Sequence, residues 1–393
     1  MKKLFIAAFI FVSTFTTSTF AEVKMGIILG FTGPIESLTP AMAASAELAF
    51  KEASDSGLLL GGETITVIRA DSTCVDSAAA TAAAEGVIAQ GVVAIMGADC
   101  SGVTGAIASN VAVPNGVVMI SPSATSPGLT TLDDKGFFFR TAPSDARGGQ
   151  ILADITKDRK IKSVAITYTN NDYGKGLADV YAAAVKAHGI KVTTSAAHED
   201  GKADYSSEVA TLASAGGDAV AVIGYLDQGG KGIIQGSLDS GAFDTFILSD
   251  GMIGDSLTEA FGKDLNKSFG SMPGSTGKGA GVFTKVASAA SIDSSGPYTG
   301  ESYDAAALIV LAIQAGNSAN RASIAKNIMG VANAPGTKIY PGQLKKGLDL
   351  LAKGKKIDYE GATGVIFTSV GEAEGSFLEK EIKGGKFKTV KQR

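Results

Sequence analysis

Short apolar segments alternate with helical segments along most of the chain, and this alternation restricts its fold more than any other feature. The expected strands are Val23–Leu29, Thr64–Ala70, Val92–Met96, Val117–Ile120, Ser163–Tyr168, Lys191–Ala196, Ala219–Gly224 and Thr245–Ser249. The expected helices are Ala41–Ser54, Asp76–Gln90, Gly148–Asp158, Tyr173–His188, Ser206–Ala215, Gly229–Ser240 and Tyr303–Ala315. Strands that alternate with helices of about 10–15 residues form βαβ units with parallel strands. The sequence therefore predicts an α/β protein.

The chain has 393 residues, enough for two domains of ordinary size. Its 50 glycines and its lack of tryptophan suit tight connections and close packing of helices on sheets. The Gly- and Ser-rich segment Gly270–Gly281 is expected to be a connection. A β-hairpin-like pair, Gly364–Thr368 and Gly375–Ile382, is expected to close the chain.

The first 21 residues have the organisation of a secretory signal peptide. Lys2 and Lys3 give a basic start, Leu4–Val12 an apolar core, and Thr19–Ala21 a small-x-small cleavage site. The apolar core is too short to cross a membrane as a helix. We expect residues 1–21 to be removed and the rest to be exported as a soluble protein. Loss of both lysines changes the formal net charge from −4 to −6, which argues against a nucleic-acid partner.

The two cysteines, Cys74 and Cys100, agree with export, because a pair in an exported protein usually forms a disulfide. Each follows a predicted strand, and both strand ends would lie at one edge of one sheet. Closing a loop of this length would stabilise the fold by roughly 3–4 kcal/mol. No metal or other cofactor is expected. The only two histidines, His188 and His198, lie in helical or polar surface contexts and have no second ligand at suitable spacing.

Two turns rich in hydroxyl groups follow neighbouring strands. Ser101 follows Val92–Met96, and Ser123 and Thr125 follow Val117–Ile120. Open α/β sheets bind ligands at the carboxyl ends of their strands. Hydroxyls and free N–H groups at a helix start favour an anion such as a carboxylate. The same residues also cap helices and turns in many proteins, so each taken alone can be purely structural.

Three segments resemble enzyme motifs without meeting their requirements. Gly30–Gly33 lacks the spacing of the dinucleotide fingerprint, and Gly274–Lys278 is followed by Gly279 where a phosphate-binding loop needs Ser or Thr. Gly300–Asp304 fails at the last position of the serine-hydrolase elbow. The acid and base partners that catalysis needs are also missing. We therefore predict a binding protein and no enzyme.

Several segments spread over the chain match one family. They are Val23–Gly30 with Thr32–Pro34, Cys74 with Cys100–Ser101, Met119–Thr125, Asn171–Gly176, Gly224–Tyr225 and Ser249–Gly251. In these segments the chain resembles the periplasmic branched-chain amino-acid-binding proteins, the solute receptors of ABC importers. The resemblance implies a type I periplasmic binding protein fold, with two lobes that are each a parallel-sheet βαβ sandwich.

The resemblance also implies that three chain crossings join the lobes. We place them near Thr141–Pro143, Gly270–Pro273 and Gly371–Gly375. Residues 22–142 and 271–372 would then form lobe 1, and residues 143–270 and 373–393 lobe 2.

In lobe 1, the resemblance implies that Ser101, Ser123 and Thr125 hold the carboxylate and the head group of an amino acid. One position departs from the family. The leucine receptors place an aromatic residue over the side-chain pocket a few positions past the Gly-Pro of the first loop, and here Leu38 occupies that place. The resemblance therefore implies the function of the protein, but it does not imply which amino acid the pocket prefers.

In lobe 2, the resemblance implies that Tyr173 and Tyr225 close over the ligand and that Asp250 faces its ammonium. The residues alone leave alternatives open. Tyr173 follows a strand and opens a helix, so it could be an ordinary packing residue. Asp250 follows a strand and could be a helix N-cap.

The function implied by the resemblance is a receptor that binds small to medium aliphatic L-amino acids. It would close by hinge motion and deliver its ligand to an ABC permease in the inner membrane, and we expect a monomer. Relatives with this fold also bind amides, urea or aromatic acids, and such a receptor can serve a chemosensory or regulatory system. An acidic residue at position 250 favours a ligand with a cationic nitrogen.

Overall fold

The computed structural model describes residues 22–393, and the expected signal peptide lies outside the described residues. A first, parallel sheet consists of β1 (Glu22–Leu29), β2 (Thr64–Asp71), β3 (Ala94–Gly97), β4 (Val118–Ser121) and β5 (Phe138–Arg140). Its strand order is β2-β1-β3-β4-β5. Every residue of β3 and β4 is buried, as expected for parallel strands covered by helices on both faces.

A second sheet has seven strands. They are β6 (Ser163–Thr169), β7 (Lys191–His198), β8 (Ala219–Ile223), β9 (Phe246–Leu248), β10 (Phe269–Pro273), β13 (Phe377–Ile382) and β14 (Phe387–Gln392). The strands β11 (Thr337–Ile339) and β12 (Ile357–Tyr359) form a separate two-stranded sheet. The order is β14-β13-β10-β9-β8-β6-β7, with β13 and β14 antiparallel at one edge. The strands that were expected from the sequence are therefore divided between the five-stranded and the seven-stranded sheet.

Twelve helices cover these sheets within residues 22–393. They are α1 (Thr39–Asp55), α2 (Ser77–Ala89), α3 (Ser101–Ile107), α4 (Asp145–Asp158), α5 (Asp172–Ala187), α6 (Ser206–Ala215), α7 (Gly229–Ser240), α8 (Asp255–Phe261), α9 (Lys278–Ala289), α10 (Thr299–Ala315), α11 (Arg321–Ala332) and α12 (Leu344–Ala352). Polar side chains start some of them: Asp76 accepts two N–H groups at the start of α2, and Asn171 accepts the Gly174 N–H at the start of α5.

Helices α1, α2, α10 and α11 pack on the five-stranded sheet, whereas α4, α5, α6 and α7 pack on the seven-stranded sheet. We call these two assemblies the first lobe and the second lobe. Helix α10 is buried along nearly its whole length, since it also lies against α1, α11 and α12. Within residues 22–393, none of the helices combines the length and the apolar character of a membrane span.

Two expectations about the C-terminal third were wrong. The segment Gly270–Gly281 is not a connection, because β10 occupies its start and α9 begins at Lys278. A glycine is required inside this strand, since a Cβ on Gly270 would lie 2.1 Å from the backbone oxygen of Leu248 in β9. The closing hairpin is formed by β13 and β14, and the segment Gly364–Thr368 forms only an isolated bridge between Phe367 and Ala373, outside that hairpin.

The surface context expected for His198 was also wrong. Its side chain is 1% exposed at the end of β7, and its Nδ1 lies 2.8 Å from the hydroxyl of Thr167. Burial lowers the pKa of this imidazole to about 4, so His198 is neutral at physiological pH. His188 lies partly exposed at the end of α5, where its Nε2 is 2.7 Å from Asp154.

Candidate ligand-binding cleft

A small cavity of about 30 Å³ lies between the two lobes. Its walls are formed by Ile35, Leu38, Met42, Asp99, Cys100, Ser101 and Ser123 of the first lobe, by Tyr173, Tyr225, Asp250 and Gly251 of the second, and by Tyr298. Most of these residues follow the carboxyl ends of β1, β3, β4, β6, β8 and β9, where α/β sheets bind ligands. The structure thus brings together Leu38, Ser101, Ser123, Tyr173, Tyr225 and Asp250 of the expected site residues, whereas Thr125 is not part of the cavity wall.

The expected disulfide is confirmed and positions the first hydroxyl. Cys74 and Cys100 are bonded, with their Cα atoms 5.1 Å apart. Cys100 directly precedes Ser101, the first residue of α3. The Ser101 hydroxyl oxygen accepts the N–H of Ser126 at 3.1 Å, so its own proton is available to an acceptor in the cavity.

The second turn holds its two expected residues differently. The Ser123 hydroxyl donates to the backbone oxygen of Asp99 at 3.1 Å, and the Ser123 N–H lies 3.4 Å from the hydroxyl of Ser121, a long contact that a ligand could replace. Thr125 is 1% exposed, and its hydroxyl has no hydrogen-bond partner within the described part of the chain. An unpaired buried hydroxyl costs about 1–3 kcal/mol, so a ligand oxygen or nitrogen near Thr125 would recover stabilisation.

Arg140 holds this second turn in place, a role that the sequence analysis missed. Its guanidinium is buried and donates to the backbone oxygens of Ala124 at 3.1 Å and Ser126 at 2.9 Å. It also forms an ion pair with Glu372 at 2.5 Å. The two carbonyl contacts flank Thr125 on both sides. The sequence shows Arg140 directly after three phenylalanines, but it does not show the partners of the guanidinium.

The Asp99 carboxylate joins three loops of the first lobe by hydrogen bonds. Its carboxylate accepts the N–H of Gly30 at 2.6 Å, the hydroxyl of Ser72 at 3.0 Å and the N–H of Cys100 at 3.0 Å. Burial raises its pKa, and these three donors counteract the shift. Because its oxygens are occupied by the protein, Asp99 braces the loops of the first lobe rather than offering a charge to a ligand.

Asp250 is the carboxylate that faces the cavity from the second lobe. The phenol of Tyr173 lies 2.8 Å from its Oδ1 and 2.9 Å from the hydroxyl of Ser249, and accepts the N–H of Gly251 at 3.2 Å. Asp250 is 7% exposed, and burial raises its pKa. Its side chain contacts phenols instead of capping a helix.

Tyr298 is a further cleft residue that the sequence analysis missed. It lies just before α10 in the first lobe, and its phenol donates to the second oxygen of Asp250. Its backbone has φ of +62°, a left-handed conformation that bulky residues rarely adopt. The contact joins residues that are 48 positions apart, so no local sequence pattern predicts it. The Gly-Pro pair at Gly296 and Pro297 was the only available signal.

Two aromatic rings and an aliphatic group complete the walls. The rings of Tyr173 and Tyr225 are stacked, with centroids 5.2 Å apart and planes inclined by 14°. Leu38 faces the same cavity together with Ile35 and Met42, and all three are buried. The wall that holds Leu38 is therefore apolar.

Asp145 places a second buried carboxyl near Asp250. It lies in the first turn of α4, its N–H donates to the backbone oxygen of Thr125 at 2.8 Å, and its Oδ2 has no hydrogen-bond partner among residues 22–393. Burial, and then the charge of Asp250, raise its pKa well above the usual range. Two such carboxyls resist ionising together, and a cation between them would relieve that repulsion.

Hydrogen bonds at the rim hold the lobes against each other. The N–H of Ser37 in the first lobe donates to the Asp227 carboxylate of the second at 2.9 Å, and the N–H of Asp227 donates to the oxygen of Pro34 at 2.9 Å. The hydroxyl of Ser256 also donates to Asp227 at 3.0 Å. The structure therefore shows the lobes closed over the cleft.

Chemically, the cleft offers an anion side and a cation side. The hydroxyls of Ser101 and Thr125 can donate to a carboxylate, and Asp250 can accept from an ammonium. Within residues 22–393, no group of three or more His, Cys, Asp or Glu side chains is arranged to bind a metal ion.

A family model described as periplasmic binding protein matches residues 22–345. The chain therefore belongs to the periplasmic binding protein family. Membership confirms the prediction of a binding protein rather than an enzyme, and it confirms the predicted two-lobed α/β fold class.

Among curated proteins, the chain is 30% identical over 231 residues to Leu/Ile/Val-binding protein homolog 3 of Brucella melitensis. That match covers 58% of this chain and 62% of the relative, so the chain spans less than two thirds of the relative's length.

Solved structures share the fold over nearly the whole chain. The substrate-binding protein of a branched-chain amino-acid transporter from Streptococcus pneumoniae, in complex with isoleucine, has a TM-score of 0.77 at 22% identity and covers 95% of this chain and 99% of its own. A solute-binding protein of R. palustris in complex with 4-hydroxybenzoate has a TM-score of 0.78 at 16% identity, with coverages of 95% and 97%. At these identities the comparison establishes the fold alone.

Proposed function

We propose that this protein is a periplasmic solute receptor that binds aliphatic, branched-chain L-amino acids in the cleft between its lobes. The observation that carries the proposal is the distribution of charge and hydrogen-bonding groups across the cleft. A buried carboxylate, Asp250, lies on one side, and the hydroxyl-bearing residues Ser101 and Ser123 lie on the other. This is the complement of a zwitterion, whose two charges need partners once water is removed.

The individual roles follow from that arrangement. Ser101 and Thr125, with the backbone of Ser123, would receive the ligand carboxylate, and Asp250 would receive the ammonium. Tyr173, like Tyr225 beside it, would close over the ligand from the second lobe.

The apolar wall that includes Leu38 would contact the side chain of the ligand. One buried methylene contributes about 0.8 kcal/mol, or roughly fourfold in affinity, so we expect modest discrimination among valine, leucine and isoleucine. The Leu/Ile/Val-binding relative and the isoleucine complex of the structural neighbour support this ligand class.

Delivery of the ligand would depend on movement of the two lobes relative to each other. We propose that the two lobes move as units, one made of residues 22–142 and 274–372 and the other of residues 143–273 and 373–393. The boundary predicted at residue 271 is moved to 274, because β10 continues to Pro273 in the second sheet. The closed form would dock as a monomer on an ABC permease of the inner membrane. The ligand can favour closure only through its extra affinity for the closed form, which the contacts of the second lobe would supply.

Isothermal titration of the mature protein, freed of carried ligand by unfolding and refolding, tests the proposal. We expect leucine, isoleucine or valine to bind with Kd of about 1 μM or tighter, equivalent to about −8 kcal/mol. Acetamide, urea and 4-hydroxybenzoate are the competing ligands. No heat from any amino acid, together with heat from one of these three, would overturn the ligand class.

The charge of Asp250 can be tested separately. Asp250→Asn keeps the shape but removes the charge, and should weaken binding of the best amino acid by about 30-fold or more, since it leaves the ammonium without its counter-charge. Asp264→Asn is the matched control, because Asp264 is exposed and outside the cleft. Equal affinity in the Asp250 variant and the control would remove Asp250 from the site.

A further inference from the structure

A second and larger cavity, which we call the rear cavity, lies on the other side of Tyr298. Its volume is about 260 Å³. Both lobes line it. Its polar lining includes Tyr298, Glu301 and Thr363 of the first lobe, Lys380 and Thr389 of the second, and Ser275 of the segment that joins β10 to α9. Tyr298 also lines the cleft, so the two cavities share this residue in their walls.

Glu301 is the acidic group of the rear cavity. It lies in the first turn of α10 and is 4% exposed, yet its carboxyl forms no hydrogen bond to the side chain or backbone of another described residue. Its backbone oxygen accepts the hydroxyl of Thr141 at 2.9 Å, which anchors the residue next to a chain crossing. Burial raises the pKa of this carboxyl to about 8. An uncompensated buried carboxyl is costly, so its presence in a cavity wall needs an explanation.

Lys380 is the basic group of the rear cavity. It is half-buried on β13, and its ammonium donates to the hydroxyl of Thr389 at 3.0 Å. Among the described residues it forms no ion pair, and burial lowers its pKa. Glu301 and Lys380 are the only acidic and basic side chains in the wall, and they are not bonded to each other. The cavity therefore has one unpaired group of each sign.

We propose that the rear cavity is a second binding site, which takes a small zwitterion such as a free amino acid. The ligand ammonium lies against Glu301 and the ligand carboxylate against Lys380, with hydroxyls such as Thr363 and Ser275 completing the hydrogen bonds. A simple cation would be opposed by the lysine, and a simple anion would leave the Glu301 carboxyl without a cationic partner. The volume is slightly below the range of about 300–1,000 Å³ typical of sites for drug-sized molecules, which suits a small ligand.

The site has a mechanical consequence. Glu301 belongs to the first lobe and Lys380 to the second, so a ligand between them contacts both lobes at once. Such a ligand binds best when the lobes are as close as in this structure, and it therefore favours the closed form. The inference makes no assumption about which ligand the cleft takes.

Equilibrium dialysis of labelled glycine against the refolded mature protein tests the proposal. The Asp250→Ala variant serves as background, because it disables the cleft. In that background we expect glycine to bind at one remaining site, and methylamine and acetate to bind at least tenfold more weakly than glycine. Adding Glu301→Gln or Lys380→Met should weaken glycine binding at least tenfold, and Lys380→Arg should retain it. Lys388→Met, on exposed β14, is the matched control.

A proton balance gives a second readout. An ammonium beside Glu301 favours its ionised form, so glycine binding near pH 7 should release a proton, and the heat of binding should depend on the ionisation heat of the buffer. The Glu301→Gln variant should lose that dependence. No glycine binding below about 10 mM in the Asp250→Ala background, or binding unaffected by both Glu301→Gln and Lys380→Met, overturns the inference. Circular dichroism establishes that each variant is folded.

Discussion

The buried carboxyl of Glu301 should make the stability of the protein depend on pH, and Glu301→Gln should remove that dependence. The pKa of this group is about 8 in the folded chain, compared with 4.5 for an ordinary glutamate. A raised folded-state pKa stabilises the fold fully below pH 4.5, and the contribution is lost as the pH rises through 8. For a shift of this size, linkage gives a loss of about 4 kcal/mol between pH 5 and pH 9. Glutamine stays neutral throughout and has no such loss.

The assay is urea unfolding of ligand-free wild-type and Glu301→Gln proteins at pH 5, 7 and 9. The difference between their unfolding free energies isolates Glu301, because all other titrating groups are common to both. We expect the variant to gain about 4 kcal/mol relative to wild type from pH 5 to pH 9. Glu85→Gln, at an exposed position of α2, should run parallel to wild type. Parallel pH profiles for wild type and Glu301→Gln would refute the burial argument.

Other features give further expected outcomes. Asp227→Ala should weaken ligand binding about three- to tenfold by removing a hydrogen bond between the lobes, while Ser256→Ala, which removes a bond within one lobe, should leave the affinity within about twofold in the same titration. The pKa of His198 is about 4, below the 6.5 of an exposed histidine. The neutral imidazole therefore contributes fully to the free energy of unfolding above pH 6.5, and this contribution is lost as the pH falls toward 4. Between pH 7 and pH 4.5, the His198→Gln variant should therefore lose about 2–3 kcal/mol less unfolding free energy than wild type. Replacing both cysteines by serine should lower the unfolding free energy by about 3–4 kcal/mol, measured by urea titration.

Those parts of the fold that depend on local pattern could be predicted from the sequence. Helices α6 and α7 begin and end at the expected residues, because their apolar positions recur at helical spacing and glycine follows each end. Strand β10 could not be predicted, since its glycine and serine resemble a connection. A glycine there is explained only by the close approach of β9, a contact made in three dimensions.

The same division applies to the candidate site. Ser101, Ser123 and Asp250 follow strand ends, and the edge of a parallel sheet brings such positions together. Tyr298 follows no strand, and its contact with Asp250 depends on where the start of α10 is held in the first lobe. Arg140 could not be predicted either, because its backbone partners in the Ala124–Ser126 turn and its carboxylate partner Glu372 are far apart in the sequence. Pairings between distant loops are set by tertiary packing, which periodicity does not describe.

The link between Tyr298 and Asp250 gives the protein an optical signal of its own. The chain has nine tyrosines and no tryptophan, so tyrosine emission is not masked by a stronger fluorophore. Three of the nine, Tyr173, Tyr225 and Tyr298, line the cleft, and two of them donate to one carboxylate. Separation of the lobes would break the hydrogen bond of Tyr298 and expose its ring to water. The intrinsic fluorescence of the unlabelled protein should therefore follow opening and closing in real time.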